Sequence, residues 1–188
     1  MAAERSPARP APPESPTREV LRKVVDRASL GRLVDERRAR GETIVLTNGC
    51  FDIIHIGHLR YLEQARAEGD VLVVGINSDR SVRALKGPGR PVIPEIDRAE
   101  VLAHLSTVDY VCVFDEDTCE ALIELVRPHV YVKGAGQAVE TIAEAPLVQR
   151  LGARIVIMPM VHGRSTTSIV ERVIAAHGPA PPQPSPER

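Results

Sequence analysis

The sequence has few cysteines and no long apolar segment. Its three cysteines, Cys50, Cys112 and Cys119, are odd in number and show no Cys-x-x-Cys spacing, which argues against a disulfide framework and against a structural zinc site. No apolar run approaches the ~20 residues that cross a bilayer, and the N-terminus lacks the apolar core of a signal peptide. We therefore expect a soluble protein of the reducing cytoplasm that makes no membrane contact.

An excess of charge of one sign is also lacking, as are two common nucleotide-binding motifs. The 24 basic and 25 acidic residues give a net charge of −1, so no overall basic field would hold a nucleic acid, and none is expected as a partner. The chain contains neither Gly-x-x-x-x-Gly-Lys-Ser/Thr nor Gly-x-Gly-x-x-Gly. A common NTPase and a dinucleotide dehydrogenase are therefore not supported.

The chain does contain one apolar-rich region between two proline-rich ends. With 43% hydrophobic residues among 188, it can bury one substantial core. Residues 1–16 and 178–188 are predicted to be disordered tails, because such proline-rich polar segments cannot bury enough apolar surface to offset their ordering entropy. Residues 17–177 are predicted to form a single domain.

Strand and helix patterns alternate through that domain. After a helical region at residues 18–40, which is one helix or two short ones, the pattern indicates a parallel five-stranded sheet with right-handed crossovers, a doubly wound Rossmann-like α/β fold. Ligands of such sheets bind at the carboxyl ends of the strands. The predicted strands are residues 44–47, 71–76, 110–114, 130–133 and 154–158. The predicted later helices are residues 57–67, 96–105, 118–126 and 145–151, and a last one from Ser165 or Thr166 to 176.

The loop after the first predicted strand carries His55-Ile56-Gly57-His58. Two imidazoles three residues apart, where a strand gives way to a helix, can both face a polyphosphate. Unpaired N–H groups and the helix dipole favour anions at a helix N-terminus, and Gly57 lets a phosphate approach the backbone. The motif therefore predicts a triphosphate site.

Two segments resemble signatures of the cytidylyltransferase-like nucleotidyltransferase superfamily. The motif from His55 to His58 resembles the first signature, and Ser165-Thr166-Thr167-Ser168-Ile169 resembles the second, at the start of the last helix. Within residues 18–174 the sequence resembles the branch that adenylylates heptose 1-phosphate. That likeness is carried by Thr47-Asn48-Gly49-Cys50-Phe51-Asp52, Gly75-Ile76-Asn77-Ser78-Asp79, Ser81-Val82, Leu85-Lys86-Gly87, Arg90-Pro91-Val92, Val108-Asp109-Tyr110 and Val132-Lys133-Gly134.

The resemblance implies a reaction and its participants. In that branch the sugar phosphate attacks the α-phosphorus of ATP and yields ADP-heptose and pyrophosphate, usually with Mg²⁺. ATP and a sugar phosphate are thus the expected ligands, and a homodimer is common. Because the sequence shows no kinase domain of the kind to which such modules can be fused, we expect a separate sugar kinase to make the sugar 1-phosphate.

The resemblance also assigns residues to the catalytic and nucleotide sites. His55 and His58 would bind the triphosphate and stabilise the five-coordinate α-phosphorus. Lys86, on a loop after the second strand, would neutralise a phosphate, or is a solvated surface lysine. The other nucleotide-binding candidates are Asn48, Gly49, Cys50, Phe51, Gly57, Arg98, Lys133, Gly134, Ser165, Thr166 and Thr167.

Several of these assignments compete with a structural alternative. Asp52, grouped with Asn77 and Lys86 in the sugar phosphate site, would bind sugar hydroxyls or help place the metal, or else cap its own turn. Arg98 would reach the phosphates or hold the loop after the second strand, or form an ordinary ion pair.

Residues at the two later strand ends carry similar alternatives. The hydroxyls of Ser165–Thr167 would bind the β and γ phosphates, or only cap the helix. Lys133 and Gly134 would line the adenine or ribose pocket. His162 is a further phosphate candidate.

One segment departs from the family pattern. The family usually continues after Gly134 with Gly-Asp-Tyr, whereas this chain has Ala135-Gly136-Gln137 and so lacks an acidic group and an aromatic ring. The departure leaves the nucleotide base open. Cys50 has no evident base to activate it, so a nucleophilic role is not expected.

Two further hypotheses about the function therefore remain open. The same chemistry with another acceptor or nucleotide, such as glycerol phosphate with CTP or a sugar phosphate with GTP, would use the same phosphate-binding groups. A nucleotide-binding regulatory protein, decayed at residues 135–137, is the alternative from a different class.

Overall fold

The computed structural model describes residues 17–135, 139–159, 163 and 165–177. The predicted tails at residues 1–16 and 178–188 lie outside the described residues. The strands are β1 (Ile44–Gly49), β2 (Val71–Asn77), β3 (Tyr110–Phe114), β4 (Val130–Gly134) and β5 (Arg154–Met158). The helices are α1 (Thr17–Leu21), α2 (Arg27–Ala39), α3 (Ile56–Arg66), α4 (Asp79–Lys86), α5 (Glu95–Ala103), α6 (Glu120–Val126), α7 (Ala145–Arg150) and α8 (Thr166–His177), with a 3₁₀ turn at Val139–Thr141.

The five strands form one parallel sheet in the order β3-β2-β1-β4-β5, so the predicted fold is confirmed. The order reverses between β1 and β4, which pair through Val45 opposite Val130. The crossovers that follow these two strands leave on opposite sides of the sheet. A crevice opens at such a switch point, outside the carboxyl ends of the strands.

Two apolar layers cover the sheet, one on each face. Successive side chains of β1 alternate between them, because side chains of a strand point to opposite faces. Ile44 and Leu46 pack in the layer that contains α2, α6 and α7, and Val45 packs in the layer that contains α3 and α5. All seven residues of β2 are buried, as expected for a central parallel strand.

The structure corrects one of the predicted elements. Residues 79–86 were expected in a loop but form α4, whose first turn is capped by the Ser78 side chain accepting from the Ser81 amide. The helix escaped prediction because it is short and polar, with only Ser81 and Val82 buried. Lys86 is thus the last residue of a helix.

The region at 18–40 forms two helices, α1 and α2, which is one of the two predicted alternatives. Between them, Val24 forms a parallel bridge with Val111 of β3, and Val25 donates its amide to the Val111 carbonyl at 2.9 Å. This short segment covers the free edge of β3. No helix among the described residues is long and apolar enough to cross a membrane.

Candidate functional site

A cleft of about 560 Å³ lies at the carboxyl ends of β1 and β4, where the switch point predicts a ligand site. It joins segments that are far apart in the chain: the β1–α3 loop, the end of α4, the end of β4 and the start of α8. Its walls are Asn48, Gly49, Cys50, Phe51, Asp52, His58, Val82, Lys86, Arg90, Lys133, Thr166 and Thr167. A neighbouring cavity of about 140 Å³ is lined by Asn48–Phe51 and by Gly57, His58, Tyr61 and Gly134.

His55 and His58 form a stacked pair at the start of α3. Their ring centroids are 4.0 Å apart and the ring planes are inclined by 25°. His55 is the N-cap, and its Nδ1 accepts from the Gly57 amide at 3.1 Å. Because Nδ1 is an acceptor, the neutral ring carries its proton on Nε2. His55 therefore offers an N–H donor from a fixed position.

Burial keeps both imidazoles in the neutral form. Desolvation and, to a smaller extent, the adjacent His55 ring together lower the pKa of His58 to about 4. Desolvation also lowers the pKa of His55. The Nδ1 atom of His58 is buried and makes no hydrogen bond to a described residue. An anion would reverse this balance, since a nearby negative charge favours the protonated form.

The loop that carries the pair is held in a strained turn. Phe51 has a φ of 46°, a left-handed value that is uncommon for a bulky residue. Its buried ring contacts His58, with centroids 5.3 Å apart. A side chain at Gly49 would meet that ring, because a Cβ there would lie 3.2 Å from Cε2 of Phe51. Gly49 and Phe51 thus fix the position of the His58 ring.

Asp52 is bound by protein groups rather than exposed to a ligand. One carboxylate oxygen accepts from the amides of Val92 and Ile93 at 2.8 and 2.9 Å. The other pairs with Arg90 at 2.7 Å. With both oxygens engaged and only 7% of the residue exposed, the expected roles in sugar or metal binding are not supported. Asp52 instead anchors residues 90–93 beside the cleft.

Arg98 is likewise a structural residue, and the expected direct contact with the nucleotide is not supported. It is 1% exposed, and its guanidinium donates to the carbonyls of Cys50, Asn77 and Ile93 and pairs with Asp79. It therefore ties the ends of β1 and β2 to α4, as one of the predicted alternatives proposed.

A polar network lies where β1 and β4 meet. Asn48 Oδ1 accepts from the Tyr131 hydroxyl at 2.8 Å and from Lys133 Nζ at 3.0 Å. Lys133 also approaches Glu144 Oε1 at 3.5 Å, and its ammonium lies 5.4 Å from the centre of the Tyr131 ring. Lys133 is thereby held at the wall of the cleft as a fixed positive charge.

The remaining predicted residues of the β1 and β2 ends are also at the cleft or next to it. Lys86 is exposed at the end of α4 and lines the cleft. Asn77 is buried, donates to Ser81 Oγ at 3.0 Å and faces the Cys50 thiol. Burial raises the pKa of Cys50 against the opposing charges of Lys86 and Arg98. The Cys50 thiol is thus protonated at pH 7, and a protonated thiol is a poor nucleophile.

The start of α8 reaches the same cleft. Ser165 caps the helix, since its side chain accepts from the Ser168 amide at 3.1 Å and the Ser168 hydroxyl accepts from the Ser165 amide. Thr166 Oγ1 contacts the Ile53 carbonyl at 3.4 Å, and Thr166 and Thr167 line the cleft. Three of the residues discussed from sequence, Gly136, Gln137 and His162, lie outside the described residues.

Four residues of this region were missed from sequence, of which Tyr131 belongs to the network described above. Arg90 holds Asp52, Glu144 holds Lys133, and Tyr61 bonds Thr47 Oγ1 at 2.5 Å and the Val132 carbonyl at 3.1 Å. Tyr61 follows His58 by three residues, so it shares that face of α3 and was open to detection from spacing. Arg90 and Glu144 gave no such signal.

Comparison with known proteins places this geometry in a family. The sequence model described as cytidylyltransferase-like matches residues 46–172. The bifunctional protein HldE of Syntrophotalea carbinolica is 51% identical over 148 residues, which cover 79% of this chain and 30% of that protein. The protein of the same name from Koribacter versatilis is 53% identical over 150 residues, 80% of this chain and 31% of that protein. The chain thus spans about a third of the length of these relatives.

Solved structures agree on the fold. A lipopolysaccharide core biosynthesis protein from Thermoplasma volcanium superposes with a TM-score of 0.53 and 29% identity, covering 64% of this chain and 98% of that one. A pantoate-beta-alanine ligase from Francisella tularensis, at 15% identity, has a TM-score of 0.55 over 79% of this chain and 72% of that one.

Proposed function

The chain belongs to the cytidylyltransferase-like family, and on this premise we propose that it transfers AMP from ATP to a heptose 1-phosphate, giving ADP-heptose and pyrophosphate. The observation that carries the proposal is the stacked pair of His55 and His58, of which His58 lines the cleft together with Lys86, Lys133 and the first residues of α8. The likeness of residues 47–58 to the heptose branch, and the relatives named bifunctional protein HldE, support the acceptor.

The reaction suits such a site. An oxygen of the sugar phosphate forms a bond to the α-phosphorus, the bond from that phosphorus to the α–β bridging oxygen breaks, and pyrophosphate leaves with the electron pair. Nucleotidyl transfer needs positioning and charge neutralisation more than covalent help. Neutral His55 and His58 would donate hydrogen bonds to the triphosphate, and its charge would raise their pKa values towards protonation as it binds.

The other groups divide between the two substrates. Lys133 and the first amides and hydroxyls of α8 would hold the nucleotide phosphates, and Lys86 would meet the sugar phosphate. We assign the base to the 140 Å³ cavity beside Tyr61 and Gly134.

Mg²⁺ usually assists this class of reaction, but the described residues do not fit a protein-held metal. No group of three His, Cys, Asp or Glu side chains among them is placed to hold an ion. Asp52, the carboxylate at the cleft, is engaged by Arg90 and two amides. Mg²⁺ often binds mainly to substrate phosphates, so it would arrive with the triphosphate.

The proposal extends to partners. A phosphoryl-transfer reaction must supply the anomeric phosphate of the acceptor, and we assign it to a separate sugar kinase. We also propose a cytoplasmic homodimer that binds neither nucleic acid nor membrane.

A pyrophosphate-release assay tests the proposal. Purified protein is given ATP, CTP or GTP with Mg²⁺, each crossed with both anomers of heptose 1-phosphate, a hexose 1-phosphate and glycerol phosphate. We expect the highest kcat/KM with ATP and a heptose 1-phosphate. A preference for another pair would reassign the substrates, and no release with any pair would overturn the enzymatic function.

A further inference from the structure

A second cavity of about 430 Å³ adjoins the cleft on the side of α4 and α6. Its volume is in the range of small-molecule sites. The wall between the two spaces is common to both and consists of residues 48–50, Lys86 and Lys133. Beyond that wall, the side chains that line the cavity include Asn77, Asp117, Thr118 and Glu144, of which only Asn77 was assigned a role from sequence.

Glu144 is a buried carboxylate with capacity for further hydrogen bonds. It is 6% exposed and yet lines the cavity. Its Oε1 accepts from the Cys119 amide at 3.4 Å and from Lys133 Nζ at 3.5 Å, both long for hydrogen bonds. A carboxylate has about four acceptor sites. Because these two contacts are long, this buried carboxylate gains from a ligand that brings donors.

The exposed Asp117 and the half-buried Thr118, which precede Cys119, add further acceptors to the lining. Neither side chain makes a hydrogen bond or an ion pair with another described residue, although the charge of Asp117 acts on Arg80 at longer range. Two carboxylates repel a phosphate and accept from hydroxyl groups. The cations Lys86 and Lys133 lie on the shared wall, while these carboxylates lie beyond it. The cavity therefore offers cations to a phosphate at the shared wall and acceptors to hydroxyl groups farther in.

We propose that this second cavity binds the hydroxyl-bearing carbon chain of the acceptor sugar, with its phosphate at Lys86 on the shared wall. Asp117 and Glu144 accept hydrogen bonds from the sugar hydroxyls and so determine acceptor specificity. The assignment rests on the proposed function and names the part of the site that distinguishes a polyhydroxylated acceptor from a small one.

Two variants and a matched control test the assignment. Asp117→Asn and Glu144→Gln remove one negative charge each with little change of shape, and Glu120→Gln does the same at an exposed position of α6 outside the cavity. We expect each cavity variant to raise the KM for heptose 1-phosphate about tenfold. The KM for ATP should stay within about twofold in Asp117→Asn, whereas Glu144→Gln also removes a partner of Lys133 and is therefore compared only through heptose 1-phosphate. Glu120→Gln should change neither. Binding of inorganic phosphate, which has no carbon chain, should stay equal or tighten in Asp117→Asn because a repulsive charge is gone.

The readouts separate this assignment from the proposed function. An unchanged KM for heptose 1-phosphate in Asp117→Asn, or equal increases for both substrates, would overturn the cavity assignment. Failure of the proposed function would appear in the wild-type protein, which would release no pyrophosphate. In that case calorimetry with heptose 1-phosphate alone still decides, because an equal Kd for wild type and Asp117→Asn contradicts the assignment and a weaker one supports it.

Discussion

The imidazole rings of His55 and His58 stack at 4.0 Å between centroids, so a charge on one ring disfavours a charge on the other. His58 is also largely desolvated, and its pKa falls to about 4. In the free protein the pair is therefore neutral at pH 7 and consists of hydrogen-bond donors and acceptors rather than cations. This relationship has consequences for stability and for turnover.

Stability should fall in mild acid because of His58. Its pKa is near 6.5 in the unfolded chain and about 4 in the folded one. Between these values the unfolded state binds more protons, so stability is full above about pH 6.5 and is lost as the pH falls towards 4. We expect His58 to contribute a loss of about 2–3 kcal/mol in urea unfolding over this window. His58→Gln should flatten the dependence, and His177→Gln, at the exposed end of α8, should not. Equal slopes in all three proteins would contradict the shifted pKa.

Turnover should depend on the same residue more than folding does. His58→Gln keeps a hydrogen-bonding side chain but loses the imidazole at the proposed triphosphate site. We expect kcat for pyrophosphate release to fall about 10²–10³-fold, the effect of losing one group that stabilises charge in a transition state. Circular dichroism should stay native at pH 7. An unfolded variant, or one with near wild-type kcat, would argue against a direct role.

Lys86 and Arg83 offer a matched pair for the phosphate role. Both are exposed cations of α4 one turn apart, but only Lys86 lines the cleft. We expect Lys86→Gln to raise the KM of a phosphate-bearing substrate by about tenfold or more, because a charge-assisted hydrogen bond is lost, and Arg83→Gln to change it little. Similar increases in KM for both variants would indicate that the overall positive charge of α4, and not a specific contact of Lys86, attracts the phosphate.

Asp52 should act through Arg90 and not through a ligand. A double-mutant cycle with Asp52→Asn and Arg90→Met, read by urea unfolding, should give a coupling energy of about 1–3 kcal/mol for this largely buried pair. Measurement of kcat/KM distinguishes a structural contact with Arg90 from a contact with a ligand. If Asp52 bound the sugar or a metal, Asp52→Asn would still lower kcat/KM in the Arg90→Met background, and we expect it not to.

Arg98 should be the costliest charged residue to remove. Arg98→Met leaves three backbone carbonyls and Asp79 without their donor in a buried site, and we expect a loss of about 3–5 kcal/mol in the free energy of unfolding. Arg80→Met breaks the exposed pair with Asp115 and should have little effect, since solvent screens such pairs. Equal losses of unfolding free energy in Arg98→Met and Arg80→Met would contradict the prediction, because burial would then not determine the cost of removing an arginine.

The fold was predictable because local patterns dominate in a parallel sheet. The apolar runs of β3 and β5 gave the observed bounds, and the other strands differ from prediction by one or two residues at the carboxyl end. Those extra residues, among them Asn48, Gly49 and Asn77, are polar or small because they form the site, so hydrophobicity does not mark them as strand. The polar helix α4 was missed for the same reason.

The site was predictable only where its residues are neighbours in the chain. The motif from His55 to His58 contains its own geometry, since the helix start places both rings and His55 caps it. The choice between the alternative roles of Asp52 and Arg98 could not be made from sequence, because their partners lie far along the chain, as Arg90 does from Asp52 and Cys50 from Arg98. A charged side chain near a phosphate motif looks the same in sequence whether it contacts a ligand or a carbonyl.

The sequence by itself determined the α/β class, the edge of the sheet where ligands bind and the histidine pair, since these depend on periodicity and on spacing within one turn. Only the tertiary structure decided which polar residues are free to act. Folding placed Asp52 and Arg98 against protein groups that satisfy them, and it left Lys86 exposed and Glu144 and Asp117 around a cavity. Burial and long-range pairing determine which polar residues are engaged, and neither can be deduced from neighbouring residues in the sequence.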